Sequence, residues 1–205
     1  LDDPSGGWAA IVARSPPTLM TEVADWPGMV LFALTGTPGT GKSTLSAELR
    51  LRGYDVVDGK AFIKEHGLLG EYDAERDTYE VELDALNDAL DPLRDAEHPV
   101  VLDSHLSHFM DSRGIIVLRC SPSVLAERLR ARGYSEDKVR ENVQAEILDE
   151  ILCEASESDI PIGEIDCTSA TVQEVADIAE KIISGHAPDY PPGGTDWSSE
   201  MDKWF

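Results

Sequence analysis

The chain has 205 residues, with 40 acidic residues against 17 basic ones and a formal charge of -23 at pH 7. This length suits one well-buried α/β domain with appendages better than two full domains. A protein with this negative net charge repels the phosphates of nucleic acids, so no direct binding to DNA is expected.

The acidity has two compatible explanations. Adaptation to concentrated salt is favoured, because the acidic residues are spread along the whole chain rather than blocked. In 1 M salt the Debye length falls to about 3 Å, so self-repulsion then costs little. The alternative is an acidic face that docks a basic partner, such as a ribosomal protein.

The cysteines and the apolar stretches bear on the cellular compartment. Cys120, Cys153 and Cys167 are odd in number and widely spaced, which indicates neither a disulfide framework nor a metal site. A reducing cytoplasm is therefore the expected location. No apolar stretch approaches the roughly 18 residues that cross a bilayer, and the first residues lack a basic region followed by an apolar one, so no membrane association is predicted.

The pattern of apolar residues divides the chain into three parts. Residues 1–28 carry scattered prolines and glycines without a sustained period, which predicts a disordered extension or a non-native leader. Residues 29–185 alternate between strand-like and helix-like patterns. Residues 186–205 form a Pro- and Gly-punctuated tail that ends in aromatic residues, and it either covers a groove on its own domain or serves as a docking peptide.

Within the central part, two hydrophobic periods predict strands and helices in alternation. The predicted strands are 30–35, 54–57, 99–102, 114–119 and 160–167. The predicted helices are 42–51, 59–66, 78–94, 121–132, 135–154 and 171–184. Connections of this length join parallel strands. The predicted fold class is therefore α/β, a doubly wound five-stranded parallel sheet of the P-loop nucleoside-phosphate kinase type.

The most informative motif is 36–44, Gly-Thr-Pro-Gly-Thr-Gly-Lys-Ser-Thr, between the first strand and the first helix. Glycines at this spacing let successive N–H groups turn inward, and the helix points its positive end at the same place, which suits a polyphosphate. Lys42 is expected to neutralise the β- and γ-phosphates of ATP, and Ser43 to offer its hydroxyl to Mg²⁺. The residues predicted to bind ATP here are Gly36, Gly39, Thr40, Gly41, Lys42, Ser43 and Thr44.

Asp103 ends the third predicted strand, at the edge where open α/β sheets bind ligands. A carboxylate at this edge can hold Mg²⁺ through water, as a Walker B residue does. The alternative is a surface aspartate that caps the next turn. His105, two residues further on, can orient a water molecule, contact a phosphate or fill a polar niche.

Three arginines, Arg128, Arg130 and Arg132, lie on or just after one predicted helix. Guanidinium groups stabilise the charge on transferring phosphoryl oxygens, and Arg128 and Arg132 are assigned to ATP. For Arg130, an i,i+4 ion pair with the surrounding acids is favoured.

The short helix after the second strand is where nucleotide-type kinases contact the phosphate acceptor. Lys64 is favoured over Lys60 for this contact, and Asp58 is assigned to the same acceptor site. A group of carboxylates further along is expected to form a solvated face, with one of them free to bond the acceptor: Asp73, Glu75, Asp77 and Glu80.

Several short motifs together resemble the nuclear adenylate kinase family, the isoenzyme-six or CINAP type. Besides the phosphate loop, they are Asp103-Ser104-His105, Val117-Leu118-Arg119, Glu127-Arg128-Leu129, Arg132-Gly133-Tyr134 and Asn142-Val143-Gln144-Ala145-Glu146-Ile147. The resemblance extends from about residue 30 to residue 184. The acidic composition indicates the archaeal branch of the family and a halophilic source.

The resemblance implies an ATP:AMP phosphotransferase that uses Mg²⁺, with ATPase activity and a role in maturing the small ribosomal subunit through a basic platform ribosomal protein. It implies an AMP-binding segment at about 58–80 and a short lid at about 131–140. It assigns catalysis to Lys42, Asp103, His105 and Arg132, and the metal to Ser43 and Asp103. Lys64 lies where relatives can carry an arginine, and lysine lacks the bidentate fork of that side chain.

Two other functions stay open from the sequence. One is an ATPase that acts mainly as a ribosome-assembly switch, and the other is a nucleotide-gated binding module with little turnover. A small-metabolite kinase is less favoured, because no acceptor motif of that kind is present. The sequence leaves the oligomeric state open.

Overall fold

A computed structural model of the chain describes residues 29–73 and 78–205. The predicted extension 1–28 lies outside the described residues. So do residues 74–77 of the predicted acceptor segment, which include Glu75 and Asp77.

Strands and helices alternate through most of the described chain. The strands are β1 (Leu31–Thr35), β2 (Asp55–Asp58), β3 (Leu69–Asp73), β4 (Thr78–Val81), β5 (Val100–Asp103), β6 (Gly114–Arg119) and β7 (Ile162–Asp166). The helices are α1 (Lys42–Leu51), α2 (Gly59–Glu65), α3 (Leu83–Ala89), α4 (Asp91–Arg94), α5 (Pro122–Ala131), α6 (Glu136–Ile147), α7 (Glu150–Ala155), α8 (Val172–Lys181) and α9 (Met201–Trp204).

The central sheet has five strands in the order β2-β5-β1-β6-β7, and its neighbouring strands are parallel. Every residue of β1 is buried, as expected for a strand that is covered on both faces. Phe32 and Leu34 pack with α1 and α8 on one face, while Leu31 and Ala33 face clusters on the other. The predicted doubly wound α/β fold is confirmed.

The strand register places the carboxyl ends of three neighbouring strands side by side. Leu34 of β1 is opposite Asp103 of β5, and Asp103 is opposite Asp58 of β2. The carboxyl ends of β1, β2 and β5 therefore meet at one edge of the sheet, which is where open α/β sheets bind ligands.

The predicted helix 78–94 is wrong in its first turn. Thr78–Val81 is strand β4, which pairs antiparallel with β3 in a separate two-stranded sheet. Its β-branched and aromatic residues favour a strand. Helix α3 begins only at Leu83, and Pro92 stands in the first turn of α4, where proline starts a helix rather than continuing one.

The predicted helix 135–154 is divided in two. Asp149 has a left-handed backbone (φ 56°) between α6 and α7, and its side chain accepts a hydrogen bond from the guanidinium of Arg119. An aspartate tolerates this conformation better than most residues. The break turns the chain, so that α7 lies against β6.

The C-terminal tail folds back on its own domain. Trp204 is 8% exposed and packs in an apolar cluster with side chains of α5 and α6. Gln144 of α6 donates a hydrogen bond to the carbonyl of Trp204 at 2.8 Å, and the ammonium of Lys203 lies 5.5 Å from the centre of the Trp204 ring. The tail therefore covers a groove on its own domain, which is the first of the two predicted alternatives.

In the described part of the chain, no helix combines the length and apolar character needed to cross a bilayer.

Candidate nucleotide site

The loop between β1 and α1 forms a concave backbone surface. Gly36 (φ 137°) and Gly39 (φ 99°) adopt backbone conformations that L side chains rarely take, and a Cβ on Gly36 would lie 2.5 Å from the carbonyl oxygen of Leu118. The carbonyl of Thr37 accepts hydrogen bonds from the amide of Thr40 at 3.2 Å and from its hydroxyl at 2.9 Å. Helix α1 begins at Lys42, so its unpaired first N–H groups face this loop. Such a surface binds phosphate.

Lys42 bends back over the loop. Its Nζ donates to the carbonyl of Gly36 and, at 3.3 Å, to that of Thr37. Burial lowers the pKa of Lys42 to about 8, although the charges of Asp103 and Glu146 oppose the shift. A bound phosphate would favour the charged ammonium further.

Two cavities meet at the phosphate loop. The first has a volume of about 260 Å³, and the second has about 220 Å³. Both are lined by Gly39, Gly41 and Arg132. A ligand in either cavity would therefore lie against the same phosphate-binding backbone.

The first cavity combines apolar side chains with two arginines, Arg128 and Arg132. Arg128 donates to the carbonyl of Thr40 at 3.2 Å and to that of Cys167 at 2.8 Å. It thus links the phosphate loop to the segment after β7. The other residues that line this cavity are Thr40, Thr44, Leu45, Cys167, Ala170, Val172 and Val175. A half-apolar cleft next to a phosphate site suits a flat nucleobase.

The second cavity collects the charged residues. Asp103 is held by Ser46, whose hydroxyl donates to Asp103 Oδ2 at 2.7 Å. One carboxylate oxygen of Asp58 caps α2 by accepting from the amide of Ala61 at 2.9 Å. The lining residues include Lys42, Ser43, Asp58, Lys60, Asp103, His105, Arg132 and Tyr134.

His105 lies among cations in this cavity. Burial lowers its pKa, and the nearby charges of Lys42 and Lys60 lower it further. The imidazole is therefore neutral at neutral pH, with one ring nitrogen able to accept a hydrogen bond.

The arginines after β6 separate by environment. Arg132 lines both cavities, and its charge contributes to the lowered pKa of Lys42. Arg130 pairs on the surface with Glu136, at 2.7 and 2.8 Å between nitrogen and oxygen. The ion pair is the predicted kind of contact, but its partner lies six positions away instead of the predicted four. Arg128 and Arg132 thus face the candidate site, while Arg130 does not.

The two lysines of α2 also differ. Lys60 lines the second cavity. Lys64, which the sequence favoured for the acceptor, is exposed and lines neither cavity. The reason lies in helix geometry, since residues four apart are more than one turn along the axis, and only the start of α2 reaches the cleft.

Sequence reasoning missed one contact behind the loop. The hydroxyl of Thr37 donates to Glu146 of α6 at 2.5 Å. Glu146 is 2% exposed, and it stands between Val143 and Ile147 on the apolar face of its helix. An acidic residue at a core position is the signal that could have identified it.

The described residues offer ligands that suit Mg²⁺. The hydroxyl of Ser43 and the carboxylate of Asp103 line the same cavity, and both present the hard oxygen atoms that this ion prefers. Among residues 29–73 and 78–205, no group of three or more His, Cys, Asp or Glu could hold a metal. Mg²⁺ bound at nucleotide sites generally takes its remaining ligands from water and phosphate oxygens.

The phosphate loop, the parallel sheet and the cavities define a P-loop protein of the nucleoside-phosphate kinase type. The AAA domain family model matches residues 33–149. The Archaeoglobus fulgidus protein named "Putative adenylate kinase" is 41% identical over 177 residues, which cover 84% of this chain and 94% of that protein. A Methanocaldococcus jannaschii protein of the same name is 42% identical over 175 residues, or 85% of this chain and 94% of its own. The chain belongs to this archaeal adenylate kinase family.

Solved structures with low sequence identity share the fold. The YorR protein of Bacillus subtilis, in complex with phosphorylated GDP, has a TM-score of 0.54 at 20% identity and covers 76% of this chain and 97% of its own. Shikimate kinase from Acinetobacter baumannii has a TM-score of 0.53 at 16% identity, covering 77% and 94%. The deoxyadenosine kinase of M. mycoides has a TM-score of 0.51 at 18% identity, covering 76% and 99%.

Proposed function

We propose that this protein is an adenylate kinase that transfers the γ-phosphoryl group of ATP to AMP and forms two molecules of ADP. The observation that carries the proposal is the pair of cavities that meet at the phosphate loop, with Arg132 lining both. Direct transfer between two nucleotides needs a binding site on each side of the moving phosphoryl group. The name of the archaeal relatives supports adenine nucleotides.

The donor ATP would use the first cavity and the loop. Its base would lie near Arg128 and the apolar residues of that cavity, and its phosphates would follow the backbone from Gly36 to Thr44. Lys42 would exchange its contacts with the loop carbonyls for phosphate oxygens. Ser43 and Asp103 would hold Mg²⁺, which when bound neutralises phosphate charge.

The acceptor AMP would use the second cavity. Asp58 and Lys60 line that cavity beside His105, and a lysine there would neutralise the acceptor phosphate. Lys64 and the rest of the segment 58–80 remain predictions for this role. The lid at 131–140 likewise remains a prediction, which the place of Arg132 and Tyr134 at the cleft supports.

The reaction itself would proceed by in-line displacement. A phosphate oxygen of AMP attacks the γ-phosphorus while the bond to the β,γ-bridging oxygen breaks, so that both products are ADP and no general base is required. Lys42 and Arg132 would neutralise the charge that spreads over the transferring oxygens. Positioning and charge neutralisation would supply the rate.

An assay of ADP formation tests this function. Purified protein in high salt should form ADP from ATP plus AMP, and Lys42→Ala should lower the rate on the order of 10³-fold. Lys181→Ala, an exposed lysine at the end of α8, serves as the matched control. Absence of ADP formation with AMP, or an unchanged rate in Lys42→Ala, would refute the kinase reaction. Replacing AMP in turn by CMP, GMP and UMP identifies the preferred acceptor.

One observation favours ATP hydrolysis as a second activity. His105 is held neutral next to the phosphate loop by burial and by two lysines, so it can accept a hydrogen bond from a water molecule near the γ-phosphate. Release of phosphate from ATP in the absence of AMP measures this activity. If His105→Ala leaves that release unchanged, the histidine has no part in it.

The finer identity stays a prediction. The isoenzyme-six type, the halophilic source, the cytoplasmic location and the ribosomal role rest on the sequence resemblance and the composition. Binding of a basic small-subunit platform protein, with and without ATP, tests the ribosomal role and the nucleotide-gated alternative together.

A further inference from the structure

Glu146 contacts the phosphate loop from the side opposite the cavities. Its Oε2 accepts the hydroxyl of Thr37 at 2.5 Å. Its Oε1 accepts Arg119 Nε at 2.8 Å and the amide of Cys120 at 3.0 Å. Each carboxylate oxygen of Glu146 therefore accepts at least one hydrogen bond, and these bonds fix the orientation of the carboxylate.

Arg119 holds this carboxylate in place. Its guanidinium is 2% exposed and contacts three carboxylates, those of Glu146, Asp149 and Glu164. The guanidinium is buried together with the carboxylates of Glu146 and Glu164, and burying these charges has a desolvation cost that apolar side chains of similar size would avoid. Stability alone does not explain such a cluster, whereas a requirement for a fixed donor and acceptor geometry does.

Thr37 is the point at which this cluster meets the loop. Its side chain bonds Glu146, while its carbonyl accepts hydrogen bonds from Thr40 and, at 3.3 Å, from Lys42. Thr37 is 4% exposed, so its hydroxyl faces the protein interior and not the cavities. Rotation or displacement of Thr37 would move the carbonyl against which Lys42 and Thr40 are placed.

We propose that Glu146 is a positioning residue for phosphate binding and transfer: through Thr37 it holds the loop in the shape that fits the triphosphate of ATP, without touching the nucleotide itself. The transfer part rests on the proposed kinase activity. The binding part concerns ATP alone, and it would hold equally for an ATPase. The position in the fold supports this role, because α6 begins within the predicted lid, 131–140, and its last turn contacts the loop through Glu146.

Isosteric variants of Thr37 and Glu146 test the link. Thr37→Val removes the hydroxyl, keeps the side-chain shape and leaves a buried carboxylate oxygen without its donor, so the Kd of MgATP should rise about 10-fold. Thr37→Ser restores the hydroxyl and should bring the Kd back to within about threefold of the wild type. Glu146→Gln removes the charge and should also raise the Kd about 10-fold. Isothermal titration calorimetry on the full chain measures these constants.

The double variant separates positioning from general damage. If Glu146 acts through Thr37, then Thr37→Val in the Glu146→Gln background adds less than about twofold, whereas independent effects would multiply to about 100-fold. The KM for AMP should stay within about twofold in each single variant, because the loop contact lies on the ATP side.

Arg94→Leu provides a control for removing a buried arginine and its polar contacts. Arg94 is 7% exposed, and its guanidinium donates hydrogen bonds to the side chains of Asn87 and Asp91 and to the backbone carbonyl of Asp111. It lies near the start of β1, remote from the phosphate loop, because the backbone carbonyl of Arg94 accepts a hydrogen bond from the amide of Val30. This variant should lower the melting temperature while the Kd of MgATP stays within about twofold.

The outcomes distinguish this inference from the proposed function. A Kd for MgATP unchanged in Thr37→Val and Glu146→Gln, or multiplying effects in the double variant, overturns the positioning role and leaves AMP phosphorylation by the wild type intact. Failure of the wild type to phosphorylate AMP refutes the kinase proposal, while the same Kd measurements still decide the role of Glu146. If Glu146→Gln does not fold, the contrast between Thr37→Val and Thr37→Ser decides it.

Discussion

The two parts of the candidate site differ in burial: the ATP side is the phosphate loop proposed to bind ATP, and the AMP side is the segment 58–80 proposed to bind AMP. On the ATP side, the phosphate loop follows the buried strand β1, and its residues Thr37 and Thr40 are 4% and 0% exposed. On the AMP side, Lys60 and Lys64 are exposed, and the hairpin of β3 and β4 presents Leu69 and Tyr79 at 45% and 51% exposure. One side is part of the core, and the other is part of the surface.

This difference separates two tasks. Donor groups that are fixed before the substrate arrives need no rearrangement when charge develops in the transition state. At a solvent-exposed site the charged contacts are weaker, because solvent and salt screen them. Changes on the ATP side should therefore alter the rate, and changes on the AMP side should mainly alter the affinity for the acceptor.

The largest effect expected from this comparison is at Arg132, where the two sides meet. Arg132→Ala removes a guanidinium that lines both cavities, and kcat should fall about 10²- to 10³-fold. Arg130→Ala, which removes a surface pair with Glu136, should change kcat less than about twofold. Equal losses in the two variants, measured by steady-state kinetics, would contradict the assignment of Arg132 to the reaction.

The next effect concerns the packing of the C-terminal tail against helices α5 and α6. Trp204 packs against α5 and α6, which carry Arg128 and Glu146. Trp204→Ala should lower the free energy of unfolding by about 3 kcal/mol through lost packing. Phe205→Ala, at a residue 61% exposed, should change it by less than about 0.5 kcal/mol. Urea unfolding followed by fluorescence or circular dichroism measures both, and similar values would show that the tail contributes little.

The AMP side is tested by its two lysines. Lys60→Ala should raise the KM for AMP about 10-fold, since it removes a charged group from the second cavity, and leave the KM for ATP within about twofold. Lys64→Ala is the matched control from the same helix and should change the KM for AMP less than about twofold. The opposite result would favour Lys64, as the sequence did.

The smallest effect is a pH dependence of stability on the ATP side. His108 is 3% exposed, with Nδ1 at 3.1 Å from the hydroxyl of Thr35 and Nε2 at 3.0 Å from Glu154. Burial lowers its pKa although Glu154 opposes the shift. As the pH falls, His108 therefore takes up a proton in the unfolded chain before it does so in the folded chain. The free energy of unfolding should decrease as the pH drops below the pKa of histidine in the unfolded chain, about 6.5. Urea unfolding at pH 7.5 and 5.5 should show a smaller drop for His108→Asn than for the wild type, and an equal drop would exclude His108 as a cause.

The sequence predicts the ATP side better than the AMP side, for a physical reason. The glycines of the loop and the apolar runs of the strands are required by local geometry, so they leave a local pattern. The hairpin of β3 and β4 escaped prediction because Val81, Leu83 and Leu86 also fit a helical period. The bond between Thr37 and Glu146 joins residues 109 positions apart, and no local pattern reports such a pair.

The tail also determines how the sheet ends. Strand β7 is an edge of the sheet, and its residue Glu164 donates its amide to the carbonyl of Tyr190 at 2.9 Å, while Gly194 bonds the Glu164 side chain. An open edge strand offers its backbone groups to the strands of other molecules and so promotes aggregation. Tyr190 and Gly194 of the tail thus occupy part of an edge that other copies could otherwise extend.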